Sequence, residues 1–397
     1  MTKLHFNYKD IFRAFRLGFS AKKMWVMFEG LIAGFLGYVI LSYVALLIKG
    51  MPLIQIWKTY TLFVFPAPMP WYCWIVWWIG FLWFVFMLLL SGVTVSKLTY
   101  EQLRGDEFFE VKEAWKLAWQ RAGSLVASPI LLAVFIAILL IAGLVLSLIG
   151  KIPYFGELFV GIMAIPAFAV SLFIIYLLIV LLFTLTLAPS VIGVTKSDAF
   201  DTLFEVFSCV NDQPWRLVLW QGAMKLFSFI GIIVLGFFSV KAVSLGSTVV
   251  RVFMGLKLDE ILNNSLSLFK FTLPSYIPFT LHNYISRGFE IIGASILFSP
   301  PSFSALGWAK DIAAVLLGIT IYVIFFFILS YGTSIWFAGN TVIYLVLVKK
   351  KDDRNLLEVK EEEFEIPEKV EAKEEEKKEE KKTRKKVTKR KVKRKKK

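Results

Sequence analysis

Histidine and cysteine are almost missing from this chain. Two of each, His5 and His282, Cys73 and Cys209, stand in 397 residues. Two widely separated cysteines make no disulfide framework and no metal-ligand spacing. Cys73 lies in an apolar run and reads as a small packing residue. The histidines are far apart in sequence and are expected on opposite membrane faces, and neither has the neighbours of a zinc site or a nucleophile triad. There is no glycine-rich phosphate loop and no nucleophile elbow. The acidic residues stand largely in loops beside basic ones, as on a solvated face. No catalytic, cofactor or metal residue is therefore assigned, and the chain is read as non-enzymatic.

Charge is scarce as well. Charged residues are 19% of the chain against 57% hydrophobic, and the mean hydropathy is +0.67. A soluble protein of this length needs more polar surface, so the composition is that of an integral membrane protein. The polar opening, residues 1–10, lacks a short apolar core with a small-residue cleavage site, so no removable signal peptide is expected.

What is present is a series of long apolar runs, with spans expected at 24–48, 71–95, 124–149, 166–188, 217–240 and 312–348. Each is long enough for a hydrocarbon core of roughly 30 Å. Residues 158–195 carry no charge. Pro166 is expected to separate an interfacial beginning from the span proper, and Pro189 to end it. The last run is either one long tilted helix or a helix broken near Gly332 or Gly339. Residues 241–311 are mixed in character, with amphipathic segments at 249–268 and 284–298, and read as a structured cap inserted on the outer face.

Amphipathic segments precede three of the runs. Ile11, Ala14, Phe15, Leu17 and Gly18 correspond to Val111, Ala114, Trp115, Leu117 and Ala118, and then to Phe200, Leu203, Phe204, Val206 and Phe207. In each, positions i, i+3, i+4 and i+7 share a helical face. Such a helix can lie flat in the headgroup layer with its rings inward. The segment recurs at offsets of 100 and 89 residues, so the chain reads as an internal repeat of three elbow-and-hairpin units. Asn7 or Asp10 is expected to cap the first elbow, and residues 195–198 read as a capping box for the third. Interface anchors are Phe15, Trp115 and Phe204 on the elbows, Trp25 and Trp215 at span entries, and Trp71, which opens a tryptophan-rich belt. The fold class is thus all-α integral membrane, with about six transmembrane helices in three hairpins.

The arm before residue 24, the two elbow loops and the tail must share one side, and they hold most of the Lys and Arg. The positive-inside rule puts both termini in the cytoplasm. The segment 349–397 holds 22 Lys/Arg and 14 Asp/Glu, with 13 Lys/Arg and no acid in its last 17 residues. Blocks of like charge without apolar periodicity do not fold alone. The basic block suits anionic lipid headgroups, at about 1 kcal/mol per residue near the surface. Nucleic acid is a weaker candidate, since no aromatic or glycine-rich elements interrupt the lysines.

Three polar groups fall at membrane depth, where an uncompensated charge costs a few kcal/mol. Glu29 and Lys225 are expected at similar depth from the same side, either as one buried ion pair or as lining of a polar cavity. Asn340 is read as an interhelical hydrogen-bonding residue.

The segment 188–207, Ala-Pro-Ser-Val-Ile-Gly-Val-Thr-Lys-Ser-Asp-Ala-Phe-Asp-Thr-Leu-Phe-Glu-Val-Phe, continues to Pro214-Trp-Arg. It resembles a group of six-span bacterial and archaeal membrane proteins of unassigned function. That group includes the membrane domain preceding the catalytic barrel of some glycerophosphodiester phosphodiesterases. A small-residue–Pro step, an interfacial helix and a Trp-Arg entry carry the likeness, which covers roughly 1–240 and the last span. It implies a shared membrane scaffold concerned with lipids. The long insertion departs from it, and only a charged tail follows residue 348, so phosphodiesterase activity is not implied. The functional expectation is a protein organising lipids or partner proteins in the cytoplasmic membrane. A transporter or channel for a small or lipid-like solute is the rival.

Overall fold

The structure, a computed structural model, describes residues 4–62, 64, 69–269, 283, 287, 304 and 306–358. His282, most of the expected helix at 284–298, and the tail beyond 358 lie outside the described residues. Every regular element among those described is a helix. Six are long and apolar enough to cross a membrane, and the chain is a multi-pass helical membrane protein. They are α2 (Ala21–Ile48), α4 (Trp71–Arg104), α6 (Ala122–Ile149), α7 (Phe155–Thr195), α9 (Pro214–Met254) and α11 (Trp308–Asp352). Shorter helices are α1 (Tyr8–Gly18), α3 (Leu53–Tyr60), α5 (Val111–Gln120), α8 (Ala199–Asp212) and α10 (Leu256–Ser267). Helices α1, α5 and α8 each stand directly before a long helix.

Several boundaries differ from the sequence reading. Helix α4 runs nine residues past the expected 95, because Lys97 and Glu101 lie one turn apart and neutralise each other on one buried face. Helix α7 is continuous through Pro166 and Pro189. A proline withholds one hydrogen bond from the turn before it, but residues 187–194 are buried without a break, and that packing holds the turn in place. Asp198, rather than Thr195, caps α8, its carboxylate accepting from the Asp201 amide at 2.9 Å. At α1 the Asn7 amide donates to the Asp10 carboxylate at 3.2 Å. Helix α9 continues to Met254, so residues 241–254 belong to it rather than to an inserted cap. The last run is one unbroken helix, in which Gly332 and Gly339 admit Ile232 and Met224 of α9.

Two ends can be distinguished by what they pack. The end holding α1, here called the arm end, gathers the start of α2 and α9 and the last turns of α4, α7 and α11. Residues 91–100, 187–194 and 337–348 are buried without exception. Close approach requires small residues there. A Cβ on Gly193 would fall 2.9 Å from the Val93 carbonyl and 3.0 Å from the Lys97 nitrogen. One on Gly18 would fall 2.5 Å from the Ile335 Cα. At the far end a smaller cluster of Leu31, Phe35, Leu268, Tyr322 and Phe326 joins α2, α10 and α11. The far halves of α6, α7 and α9 are bare, and only 6% of the most apolar window of α9 is buried.

The elbow helices use their apolar faces differently from expectation. Ile11, Ala14, Leu17 and Gly18 of α1 are buried against the bundle, as are Ala114 and Ala118 of α5 and Leu203 and Val206 of α8. On α1 and α5 the i, i+3, i+4, i+7 face therefore packs mostly on protein, because the gathered helix ends offer it an apolar seat, whereas on α8 only Leu203 of those positions is buried. Tyr8, Phe12 and Phe19 beside that face of α1, and Phe200 and Phe204 on that face of α8, remain exposed.

The segment read as tail begins later than residue 349. After α11 the chain turns back, and Leu356 is buried while its carbonyl accepts from the Tyr100 hydroxyl at 2.8 Å.

Candidate functional site: a cavity at the arm end

The expected ion pair between Glu29 and Lys225 does not form. Glu29 lies exposed on α2 and accepts from the Trp115 indole at 3.2 Å. Lys225 is exposed on α9 with its ammonium 5.7 Å from the Trp336 ring centre. Equal depth did not bring them together because they lie on the outer surfaces of helices that do not face each other. Each is compensated by an aromatic neighbour at the surface instead.

Asn340 behaves as expected. It is fully buried, its side-chain oxygen accepts from the Gln221 amide at 3.0 Å, and its own amide donates to the Trp336 carbonyl at 3.0 Å. Gln221 also donates to the Thr186 hydroxyl at 3.0 Å, so one chain of bonds ties α7, α9 and α11. Sequence reasoning missed Gln221, although it stands in the same run as Lys225. Other membrane-depth hydroxyls on Ser91, Thr94, Thr99 and Thr184 bond to carbonyls in their own helices.

The anchors divide. Trp25, Trp71, Phe204 and Trp215 are well exposed, and the Arg216 guanidinium lies 5.1 Å from the Trp215 ring. Phe15 is half-buried, its ring 6.1 Å from that of Tyr331, and Trp115 is half-buried against the core.

At the last turns of α4 is a polar cluster the sequence reading did not assign. Lys97 and Glu101 form a buried ion pair, and Arg104 lies 3.7 Å from the same carboxylate. The Lys97 ammonium also lies 5.3 Å from the Tyr100 ring and 5.6 Å from that of Phe109. Lys23 is different. It is 2% exposed, and its ammonium donates to the Leu17 carbonyl at 2.9 Å and the Gln102 side-chain oxygen at 2.7 Å. Among the described residues no carboxylate pairs with it. The neighbouring Lys22 donates to the Glu107 backbone carbonyl at 3.1 Å.

Beside Lys23 opens a cavity of about 730 Å³ between α1 and the end of α4, lined by His5, Arg13, Arg16, Ser20, Gln102 and Glu107. That volume is in the range of small-molecule and headgroup sites. A recess of about 50 Å³ that includes Lys22 and Lys23 shares Ser20, Gln102 and Glu107 with it. Arg13 is paired to Asp10 at 3.3 Å, whereas Arg16 is exposed and has no ion-pair partner among the described residues. Ser20 is the N-cap residue of α2, and its hydroxyl makes no capping bond. At the far end a cavity of about 400 Å³ is lined by Trp57, Lys58, Asn264, Ser304 and Asp311. Among the described residues no group of three or more His, Cys, Asp and Glu is placed to hold a metal ion.

No protein-family model matches the chain, and no curated protein or solved structure matches it either.

The signal for the arm-end cavity was present in sequence only as charge. Arg13, Arg16, Lys22 and Lys23 read as a basic arm, and nothing in their spacing said that the end of α4 would close over Lys23. That juxtaposition spans 79 residues between Lys23 and Gln102.

Proposed function

We propose that the protein is a non-enzymatic component of the cytoplasmic membrane, with both termini in the cytoplasm, that engages anionic lipid headgroups and thereby organises lipids or partner proteins. One observation carries this reading: the distribution of uncompensated charge. Polar side chains inside the spans, Thr186, Gln221 and Asn340 above all, are bonded to one another. Among the described residues Arg16 and Lys23, cations without a carboxylate partner, stand at the arm end, whereas Lys225 on α9 faces the Trp336 ring. A solute path needs polar lining that is free to exchange partners, whereas a leaflet contact needs cations at the interface.

In this reading α1, α5 and α8 lie at the cytoplasmic interface, with their exposed rings among the headgroups and their buried faces on the bundle. The bare far halves of α6, α7 and α9 meet acyl chains. The three elbow-and-hairpin units are copies of one ancestral unit, and the basic block at 381–397 adds a second contact with the same leaflet. The resemblance to membrane domains associated with lipid chemistry supports the choice of lipid as partner.

The test is the lipid composition of discs excised directly from native membrane around the full-length protein. Enrichment of anionic lipid over the bulk membrane is expected. Discs matching the bulk, together with solute flux in reconstituted vesicles, would favour the transport reading instead.

A further inference from the structure

Lys23 is buried, and among the described residues no carboxylate is within ion-pair distance of its ammonium. A buried ammonium is tolerated when a countercharge accompanies it, and hydrogen bonds from neutral oxygens compensate only part of the lost hydration. Its two acceptors here, the Leu17 carbonyl and the Gln102 amide oxygen, are both neutral. The recess beside it shares Ser20, Gln102 and Glu107 with the cavity where Arg16 has no ion-pair partner among the described residues and where the Ser20 hydroxyl makes no capping bond. Ser20 begins α2, a helix of 28 residues, so the unbonded amides of its first turn and the positive end of its dipole are at the same place. Cavity, free guanidinium, free hydroxyl and unmatched buried ammonium converge on one small volume.

Resting on the proposed engagement of anionic lipids, we propose that this cavity is a phosphate site. The phosphate of an anionic lipid headgroup, or of a soluble phosphorylated compound, seats between Arg16, Ser20 and the start of α2 and becomes the counter-ion of Lys23. A guanidinium and a helix N-terminus are both suited to phosphate oxygens. The fit has two opposing elements, of which Asp106 lines the recess beside Lys23. The other, Glu107, is exposed at the rim and repels the ligand, setting the affinity below what the cations alone would give. The exposed ring of Phe19 in the wall offers an apolar surface to the start of an acyl chain.

The experiment is native mass spectrometry of the full-length protein in a non-ionic detergent, titrated with dioleoyl phosphatidic acid and, as control, dioleoyl phosphatidylcholine. The wild type is expected to retain phosphatidic acid preferentially. Arg16→Ala should weaken retention about tenfold and Ser20→Ala by a smaller factor, as for lost hydrogen bonds to a charged group. Glu107→Gln should strengthen it. Arg16 and Ser20 make no bond on which the fold depends, so loss of binding in these variants is not loss of structure. Glycerol 3-phosphate and inorganic phosphate form the soluble arm. If either displaces the lipid with the same dependence on Arg16, the site is upheld with a soluble ligand. If neither does, it is upheld with a lipid ligand. Equal retention by wild type, Arg16→Ala and Ser20→Ala overturns the site. In that case, loss of retention on truncation after Glu358 assigns the lipid contact to the tail and leaves the broader function standing. No preference for phosphatidic acid in any form overturns both.

Discussion

Gln221 of α9 donates its side-chain amide to the side-chain oxygen of Asn340 on α11, 3.0 Å away and 119 residues along the chain. Both groups are buried, and each has a second partner, Thr186 for Gln221 and the Trp336 carbonyl for Asn340. The last hairpin is thereby fixed in register to the α7 end. Replacing Gln221 or Asn340 singly by Leu should destabilise the fold by about 1 kcal/mol, the usual size for interhelical bonds in membranes. The double variant should lose less than the sum of the two, since neither partner is then left unsatisfied. Unfolding in mixed detergent micelles reads this, and strict additivity would show that the two side chains act independently.

Gly193 marks a close contact between α7 and α4. An added Cβ would meet the Ser96 Cβ at 2.8 Å and the Val93 carbonyl at 2.9 Å, and that backbone cannot swing aside as a side chain could. Gly193→Ala is expected to reduce the yield of monodisperse protein severely. Gly161→Ala, where nothing lies within 4 Å, is expected to behave as wild type. Size-exclusion profiles of the two side by side separate a packing requirement from a general intolerance of alanine.

Cys209 on α8 is 1% exposed, and burial pushes its thiol up to about 12, partly opposed by the nearby Lys351 ammonium. Only about 10⁻⁴ of molecules carry the reactive thiolate at pH 8 on that value. A maleimide should leave the folded protein unlabelled at Cys209 and react after denaturation. An unfolded thiol ionises near 9.0 and the folded one near 12, so the unfolded chain binds fewer protons between those values. Stability from this group is full below pH 9 and falls as pH rises toward 12. A Cys209→Ala variant should lose that part of the alkaline decline.

Leu356, beyond α11, is part of the packed core. Truncation after Glu358 should leave the melting temperature unchanged. Truncation after Lys350 removes a Leu side chain that is 3% exposed and the acceptor of the Tyr100 hydroxyl. It should cost about 2–3 kcal/mol, from apolar burial and one orphaned hydroxyl. Both truncations should weaken association with anionic vesicles by the same factor, since both remove the basic block. Equal melting temperatures for the two would show that the turn after α11 is not part of the fold.

The architecture was legible because it follows from local quantities. Run length and missing charge located all six spans, and Pro70 and Ser20 mark helix starts that the apolar pattern also indicated. Ends were less legible wherever tertiary contact overrode a local signal. Lys97 and Glu101 look like a loop until they are seen to neutralise each other, and Pro189 looks like a stop until α4 is seen packed against the next turn. The candidate site was hardly legible. Glu29 and Lys225 stood out because charge inside an apolar run is conspicuous, yet both reach the surface. Lys23 stood at the edge of a run among other basic residues, and its burial depends on Leu17, Gln102 and the return of α4. Periodicity carries no information about such a meeting of distant segments. The same reason explains the elbows: their apolar face was visible, but whether protein or lipid covers it is decided by the far-separated ends of α4, α7 and α11.

In the proposed function the arm end lies on the cytoplasmic face, against the anionic leaflet. The most direct test is to place single cysteines at Glu107, beside the cavity, and at Lys58, at the far end, in a chain with Cys73 and Cys209 replaced by alanine. A membrane-impermeant maleimide is then applied to right-side-out and to inverted vesicles. The account predicts labelling at Lys58→Cys only in right-side-out vesicles and at Glu107→Cys only in inverted ones. The opposite pattern would put the basic arm outside and contradict the proposed contact with the cytoplasmic leaflet.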